Sequence, residues 1–283
     1  MHTRRDFLKT AGLGLAAGSL LSSSSGHAQS APDPTNAAPA AITLGVASYS
    51  LRKFKVDQAL AMTQRLGISR MTFKDAHLSL KAPDEQIKQT MALAREKGIE
   101  VYACGTVYMK TEADVDEAFR YAKTAGMQMI VGAPNVALLP LVEKRVKESG
   151  VALAIHNHGP DNPLYPSPLD AFALIKNMDA RMGLCMDIGH TQRLGQSPVA
   201  VFQETFDRVF DVHIKDVSGS NKAGKTCEIG RGVIDMAGFL KTVIAKKYAH
   251  TLSFEFEKDD NDPLPGMAES VGYVRGMLKL LGA

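Results

Sequence analysis

The sequence predicts an α/β fold: a single-domain (β/α)8 barrel. Three observations predict it. Eight short apolar runs alternate with stretches of helical periodicity. Several of those stretches stop at a glycine just before the next run. Once an N-terminal leader is set aside, 255 of the 283 residues remain, close to the ~250 that eight strand–helix units take.

The leader comes first. Residues 3–9 read TRRDFLK, and an apolar stretch follows from Ala11 to Leu21. That stretch is far short of the ~20 apolar residues a membrane-spanning helix needs. It therefore reads as a signal h-region, with no stable membrane anchor. A serine run and the small residues around Ala28 follow. The order of paired arginines, Phe7-Leu8 and Lys9 resembles a twin-arginine (Tat) signal. Residues 1–28 are expected to be that signal, and 29–41, rich in Pro and Ala, an unstructured lead-in. Residues 42–283 are the barrel. The expected location is periplasmic or secreted, with the Tat export machinery as a partner.

The eight runs follow in order. ITLGVAS (Ile42–Ser48) leads into a helical face of Ala59, Met62, Thr63 and Leu66 that stops at Gly67. RMTFKD (Arg70–Asp75) is second, and its helix stops at Gly98. IEVYACGTV (Ile99–Val107) and MQMIVGAP (Met127–Pro134) are third and fourth, with helix stops at Gly126 and Gly150. VALAIHNH (Val151–His158), GLCMDIGH (Gly183–His190) and VFDVHIKDV (Val209–Val217) continue the series. The seventh helix carries Phe239, Leu240, Val243 and Ile244 on one face, TLSFEFE (Thr251–Glu257) is the eighth run, and a helix over Gly266–Leu281 closes the chain. Strands separated by helices pair in parallel through right-handed crossovers. An open doubly wound sheet is the alternative, but no glycine-rich dinucleotide or phosphate loop follows the first run.

Composition narrows the function. Hydrophobic residues are 45% and charged residues 22%, which excludes disorder for most of the chain. The formal charge is +3, and residues 1–41 contribute only Arg4, Arg5 and Lys9 against Asp6 and Asp33. A chain so near neutral has no general grip on nucleic acid. Cys104, Cys185 and Cys227 form no CxxC pair, so neither a disulfide framework nor a zinc finger is indicated.

Side-chain parity locates the chemistry. Alternate residues of a strand share a face. Asp211, His213 and Lys215 share one, against Val212 and Ile214. Ser253, Glu255 and Glu257 share one, against Leu252, Phe254 and Phe256. Ala154, His156 and His158 share one, against Leu153 and Ile155. The apolar sets must meet the helices, so the polar sets point into the barrel. The sixth run ends in Asp187, Gly189 and His190. Active sites of such barrels lie at the C-terminal strand ends. Acids and imidazoles crowded there need a shared positive partner, and a divalent metal ion supplies it. Asp, Glu and neutral His suit manganese, zinc or cobalt. A buried ion-pair network, Lys215 with Asp216 or Glu255, is the competing reading.

At these residues the chain resembles the xylose isomerase-like, sugar phosphate isomerase/epimerase family of TIM barrels, across residues 42–281. The resemblance is carried by IHNHGP (Ile155–Pro160), CMDIGHTQRLG (Cys185–Gly195), DVHIKD (Asp211–Asp216), IGRGVID (Ile229–Asp235) and FEFE (Phe254–Glu257). It implies one divalent metal ion held from the last four strands, usually by Glu, Asp, His and Glu. Asp187, His213 and Glu255 match. His156 stands where the family's epimerases usually place a glutamate, and is carried over as the fourth ligand. His158 and His190 resemble residues that touch substrate hydroxyls, and Lys215 one of similar duty. Glu257 rivals Glu255. The family's scheme pairs two metal-bound glutamates as acid and base. With His156 in place of one of them, Glu255 or Glu257 remains as base and an imidazole, His156 or His158, is expected as acid near neutral pH.

The expected substrate is a carbohydrate or polyol, and the expected step is proton abstraction next to a carbonyl. Isomerase or epimerase is the first reading. A lyase that opens keto-sugars or 3-keto-glycosides by elimination is the second. A non-catalytic periplasmic sugar-binding protein is a reading from another class. A DNA-repair endonuclease of the same superfold would need several metals and a basic groove.

Smaller features complete the candidate site. Arg231, in the glycine-bearing IGRGVID loop, and Lys74 and His77, after the second run, are candidate substrate contacts. Asp75 is expected at the same mouth. Tyr49, Tyr108 and Tyr165 are placed to stack on a sugar ring or to pack the rim. The loop over Asp161–Pro166 is a candidate lid. Cys104 and Cys185 read as small core residues.

Overall fold

The computed structural model describes residues 42–283. The signal and lead-in expected over residues 1–41 lie outside the described residues. The alternation read from the sequence becomes β1 (Thr43–Ala47), α1 (Val56–Arg65), β2 (Arg70–Phe73), α2 (Asp84–Glu96), β3 (Glu100–Met109), α3 (Glu112–Ala125), β4 (Met129–Pro134) and α4 (Leu139–Ser149). The second half is β5 (Ala152–His156), α5 (Pro168–Ile175), β6 (Met182–Asp187), α6 (Ile188–Arg193), α7 (Pro198–Thr205), β7 (Val209–Ile214), β8 (Asp216–Val217), β9 (Thr226–Cys227), α8 (Met236–Ala245), β10 (Thr251–Phe254) and α9 (Leu264–Leu280).

Eight of these strands close into a barrel in the order β1-β10-β7-β6-β5-β4-β3-β2. Each barrel pairing is parallel. The helix stops fall where glycine predicted them. Gly67, Gly98, Gly126 and Gly150 all have positive φ, between 65° and 76°, a region that costs a Cβ-bearing residue but not glycine. Thr111 starts α3 with a reciprocal cap: its hydroxyl accepts from Asp114 N at 3.2 Å, and the Asp114 carboxylate accepts from Thr111 N at 2.9 Å.

The seventh run differs from its expected form. It is not one strand to Val217. β7 ends at Ile214, and β8 turns out to pair antiparallel with β9. The cause is Asp216. Its buried carboxylate accepts backbone N–H groups from Gly230, Gly232 and Ile234 at 3.0, 3.0 and 3.2 Å, which folds the IGRGVID loop back onto the strand end. Gly232 is obligatory here: a Cβ would stand 2.1 Å from Asp216 Oδ1.

Strand parity places the core on both sides of the wall. Leu153, Ile155, Leu184, Met186, Val212, Ile214, Leu252 and Phe254 are buried in the main cluster with the helices. Each such side chain contributes ~1.5–3 kcal/mol of burial. A separate cluster of Tyr102, Ala103, Met129, Val131, Ala154 and Cys185 fills the barrel interior. Below the polar layer, Asp211 accepts from the Tyr102 hydroxyl at 2.8 Å and from Ser253 at 3.3 Å. Burial pushes the Asp211 carboxyl up to about 6.

Candidate active site

Register delivers the four expected ligands to one height. His156 on β5 pairs with Cys185 on β6, and Asp187 on β6 pairs with His213 on β7. Ser253 on β10 is level with His213. Glu255 follows two residues later on the same face, its N–H bonded to Ile214 O at 3.2 Å. One ligand atom from each of His156, Asp187, His213 and Glu255 lies within 4.8 Å of the others. All four residues are buried.

The separations are short. His156 Nε2 is 3.0 Å from His213 Nδ1, 3.5 Å from Asp187 Oδ2 and 3.9 Å from Glu255 Oε2. His213 Nδ1 is 3.1 Å from Glu255 Oε2. Donors bound to one ion at about 2.1 Å stand roughly this far apart. Asp187 shows the same preparation. Its Oδ1 caps α6 by accepting His190 N at 2.7 Å, while its buried Oδ2 faces the His156 ring and the Lys215 ammonium. Two imidazoles and two carboxylates fit a divalent ion of the manganese, zinc or cobalt kind.

Lys215 faces the same oxygens. Its Nζ is 2.9 Å from Asp187 Oδ2, 2.7 Å from Glu255 Oε2 and 2.8 Å from Glu257 Oε2. Burial works against its charge, but the three carboxylates outweigh that and hold it well above the ordinary lysine value. Burial likewise opposes ionisation of Asp187 and Glu255. His190 and Lys215 overcome it at Asp187, and His213 and Lys215 at Glu255, so both stay below the carboxylate range. The expected ion-pair network and the expected ligand set are thus one constellation, with Glu257 rather than Asp216 as the third acid.

A cavity of about 150 Å³ opens above this floor, lined by Tyr49, Lys74, Thr106, Tyr108, His156, His158, His190, Glu255 and Glu257. Most of the expected substrate contacts therefore share one wall or another of it. The Lys74 ammonium donates to Thr106 O at 2.6 Å, and lies 5.9 and 5.7 Å from the Tyr49 and Tyr108 ring centres. Burial lowers its pKa, though Glu255 and Asp75 draw it back up.

Several expectations are corrected. Arg231 is not at the cavity. It is exposed and forms a two-point ion pair with Glu269 of α9. His77 is buried beside Phe73 and bonded to Leu51 O at 3.0 Å, so it packs the core. Asp75 accepts Leu80 N at 3.0 Å and shapes its own turn. Tyr165 takes the second of its two expected roles: it is buried, bonded to Pro134 O at 2.8 Å, and packs the rim. His158 lines the cavity, but its expected protonation is reversed. Burial, then His156 and His190, push it down to about 3, so at neutral pH it is a neutral imidazole and not the acid.

Asn157 was not singled out from sequence, and Tyr108 was expected only to stack on a sugar ring or to pack the rim. The Tyr108 hydroxyl and His158 Nε2 share a hydrogen bond at 2.7 Å. Asn157 accepts Asp187 N at 2.8 Å and donates to Asp187 O at 3.2 Å, fixing the ligand's backbone. The signal for Asn157 was its place between two inward histidines. The contact of Tyr108 depends on β3 reaching β5 through the barrel mouth, which local pattern does not report. At the opposite end, a cavity of about 330 Å³ is bordered by Arg70, Tyr102, Arg181, Phe210 and His250. Its arginines are already paired with Glu100 and Asp179.

The xylose isomerase-like TIM barrel profile matches residues 55–277, and the chain belongs to that family. No curated protein matches it. Solved structures of similar fold include an L-ribulose 3-epimerase, 16% identical, with 85% of this chain and 96% of that one covered at a TM-score of 0.69. The 3-keto-D-glucoside 4-epimerase of E. coli is 13% identical, with 83% and 100% covered at 0.68. The probable 3-DHS dehydratase of Bacillus anthracis is 11% identical, with 83% and 99% covered at 0.68. At these identities the likeness is one of fold.

Proposed function

We propose that this member of the family is a metal-dependent isomerase or epimerase that abstracts a proton next to a carbonyl of a carbohydrate or polyol. One observation carries the reading: His156, Asp187, His213 and Glu255 converge at the floor of a cavity whose rim holds a further carboxylate, Glu257. Those four residues would hold the ion, which when bound supplies Lewis-acid polarisation of a carbonyl oxygen.

The chain's own groups divide the remaining work. Glu257 is the better-placed base, because its carboxylate is partly open to the cavity while Glu255 is committed to the floor. Lys215 fixes the orientation of both acids and helps hold Glu255 ionised. Tyr108, its hydroxyl bonded to neutral His158, stands ready to return a proton to the substrate. Tyr49 and Lys74 offer a ring face and a cation to a polyhydroxyl substrate.

Elimination is the second reading, and a specific asymmetry favours it. Glu255 and Glu257 come from one strand end, whereas His156, His158 and Tyr108 supply no acid–base carboxylate opposite them. Such a set suits taking a proton with a carboxylate and protonating a leaving oxygen with the phenol. The names of the epimerases and the dehydratase of similar fold are compatible with either reading. Export by a twin-arginine signal remains part of the proposal. It rests on residues 3–28 of the sequence, and favours an unphosphorylated sugar as the small-molecule substrate.

The test is incubation with keto-sugars and keto-glycosides in deuterated water, with and without chelator. Isomerisation places deuterium at a ring carbon, and elimination releases the aglycone. Neither signal in the metal-loaded protein would refute the catalytic reading.

A further inference from the structure

Cys185 lies under the imidazole pair. It stands on β6 two residues before Asp187, so both side chains turn to the barrel interior. His156 is its register partner on β5. The Cys185 sulfur and one ring nitrogen each of His156 and His213 lie within 4.8 Å of one another. Exposure is 0% for Cys185, 3% for His156 and 2% for His213. Each ring also keeps one buried nitrogen, His156 Nδ1 and His213 Nε2, without a hydrogen-bond partner among the described residues. Two buried rings grouped with a thiol, each with a nitrogen still unpartnered, are a polar set open to a cation.

The two donor groups differ in softness. Asp187 and Glu255 offer hard oxygens, and Cys185 offers a sulfur that favours softer cations. Both groups share His156 and His213. We propose that the centre holds two overlapping ligand sets: the four-donor set with Asp187 and Glu255, and a thiophilic set of His156, Cys185 and His213 that captures zinc- or cadmium-like ions. The inference rests on the reading of these histidines as metal ligands. Coordination replaces the S–H bond with an S–metal bond, and the proton leaves to solvent. Cys185 belongs to the interior cluster and does not line the cavity, so its sulfur would hold an ion from the side away from Glu257. The choice of metal would then decide whether the centre serves the substrate or is blocked.

Cadmium titration of the full chain, followed by the ultraviolet thiolate-to-cadmium charge-transfer band, tests this. The expected result is one band equivalent per chain, lost in Cys185→Ser and kept when Cys104 and Cys227 are both changed to serine. The band is also expected to persist in Asp187→Ala, which loses manganese. Circular dichroism of each variant shows that it is folded. Cadmium binding without the band, or a band that survives Cys185→Ser, overturns the inference. A native chain that gives the band but binds no manganese keeps the thiophilic set and loses the four-donor reading. One that binds manganese and never gives the band does the reverse.

Discussion

His156 Nε2 stands 3.0 Å from His213 Nδ1, the two rings meeting across the strand that carries Asp187. Two ring nitrogens so close cannot both present lone pairs. They need a proton or another cation between them. Burial, then His213, pushes His156 down, whereas Cys185 and Glu255 carry His213 up despite its burial. In the ion-free protein a proton can bridge the pair, and a divalent ion can take its place. Ion binding should stabilise the fold by about 2.7 kcal/mol at a hundredfold excess over the dissociation constant. For a domain of this size that is a rise in Tm of roughly 5–10 °C. Calorimetry with manganese and then with chelator measures it, and an unchanged Tm would contradict the ligand reading.

Lys215 neutralises three carboxylates at once. Lys215→Met leaves Asp187 and Glu255 buried with one fewer cation, a loss of about 3–5 kcal/mol for a broken buried pair. Urea denaturation should show that loss. Added divalent ion should recover part of it, because the same oxygens gain a new positive partner. A variant as stable as the native chain would show that the network has no energetic weight.

His77 should report acid stability and not catalysis. Burial lowers its pKa from 6.5, with the Leu51 carbonyl bond only partly opposing. The unfolded chain thus takes a proton more readily than the folded one. His77's contribution is complete above pH 6.5 and is lost as the pH falls below that toward the depressed folded value. His77→Gln removes this linkage, so the stability slope over that interval should flatten by up to about 1.4 kcal/mol per pH unit. Denaturation at a series of pH values checks it, and an unchanged slope would place His77 in a solvated setting.

Asp216 holds the loop that follows β7. Asp216→Ala strands three loop N–H groups, and hydrogen bonds to a charged group are worth ~1.5–3 kcal/mol each, without strict additivity. We expect at least about 3 kcal/mol lost and faster proteolysis between Ser218 and Asp235. Gly232→Ala should cause the same symptom, because its methyl would collide with the carboxylate. Native-like protease resistance in both variants would show that the loop is held by something else.

Most of the barrel and of its polar floor was legible because strand periodicity is a local signal. Parity turned His156, His213, Lys215 and Glu255 inward, the end of the sixth run picked out Asp187, and glycine marked where helices stop. What local pattern could not report was which partner each rim residue finds. Arg231 looked like a substrate contact until α9 brought Glu269 beside it. His77 looked like a mouth residue until the turn at Leu51 supplied its acceptor. Asp216 follows Lys215 in sequence but turns to a loop fourteen or more residues away. His158 was expected to titrate near neutrality, a value that only an exposed imidazole keeps. Its desolvation depends on the walls that Tyr108 and His190 build around it.

Metal content tests the central claim most directly. The native chain, a control Arg231→Ala, and the variants Asp187→Ala and His213→Ala would be equilibrated with manganese, freed of excess ion and measured by elemental analysis. One ion per chain is predicted for the native protein and the control, with none retained in the other two. Full occupancy in Asp187→Ala or His213→Ala would contradict the account.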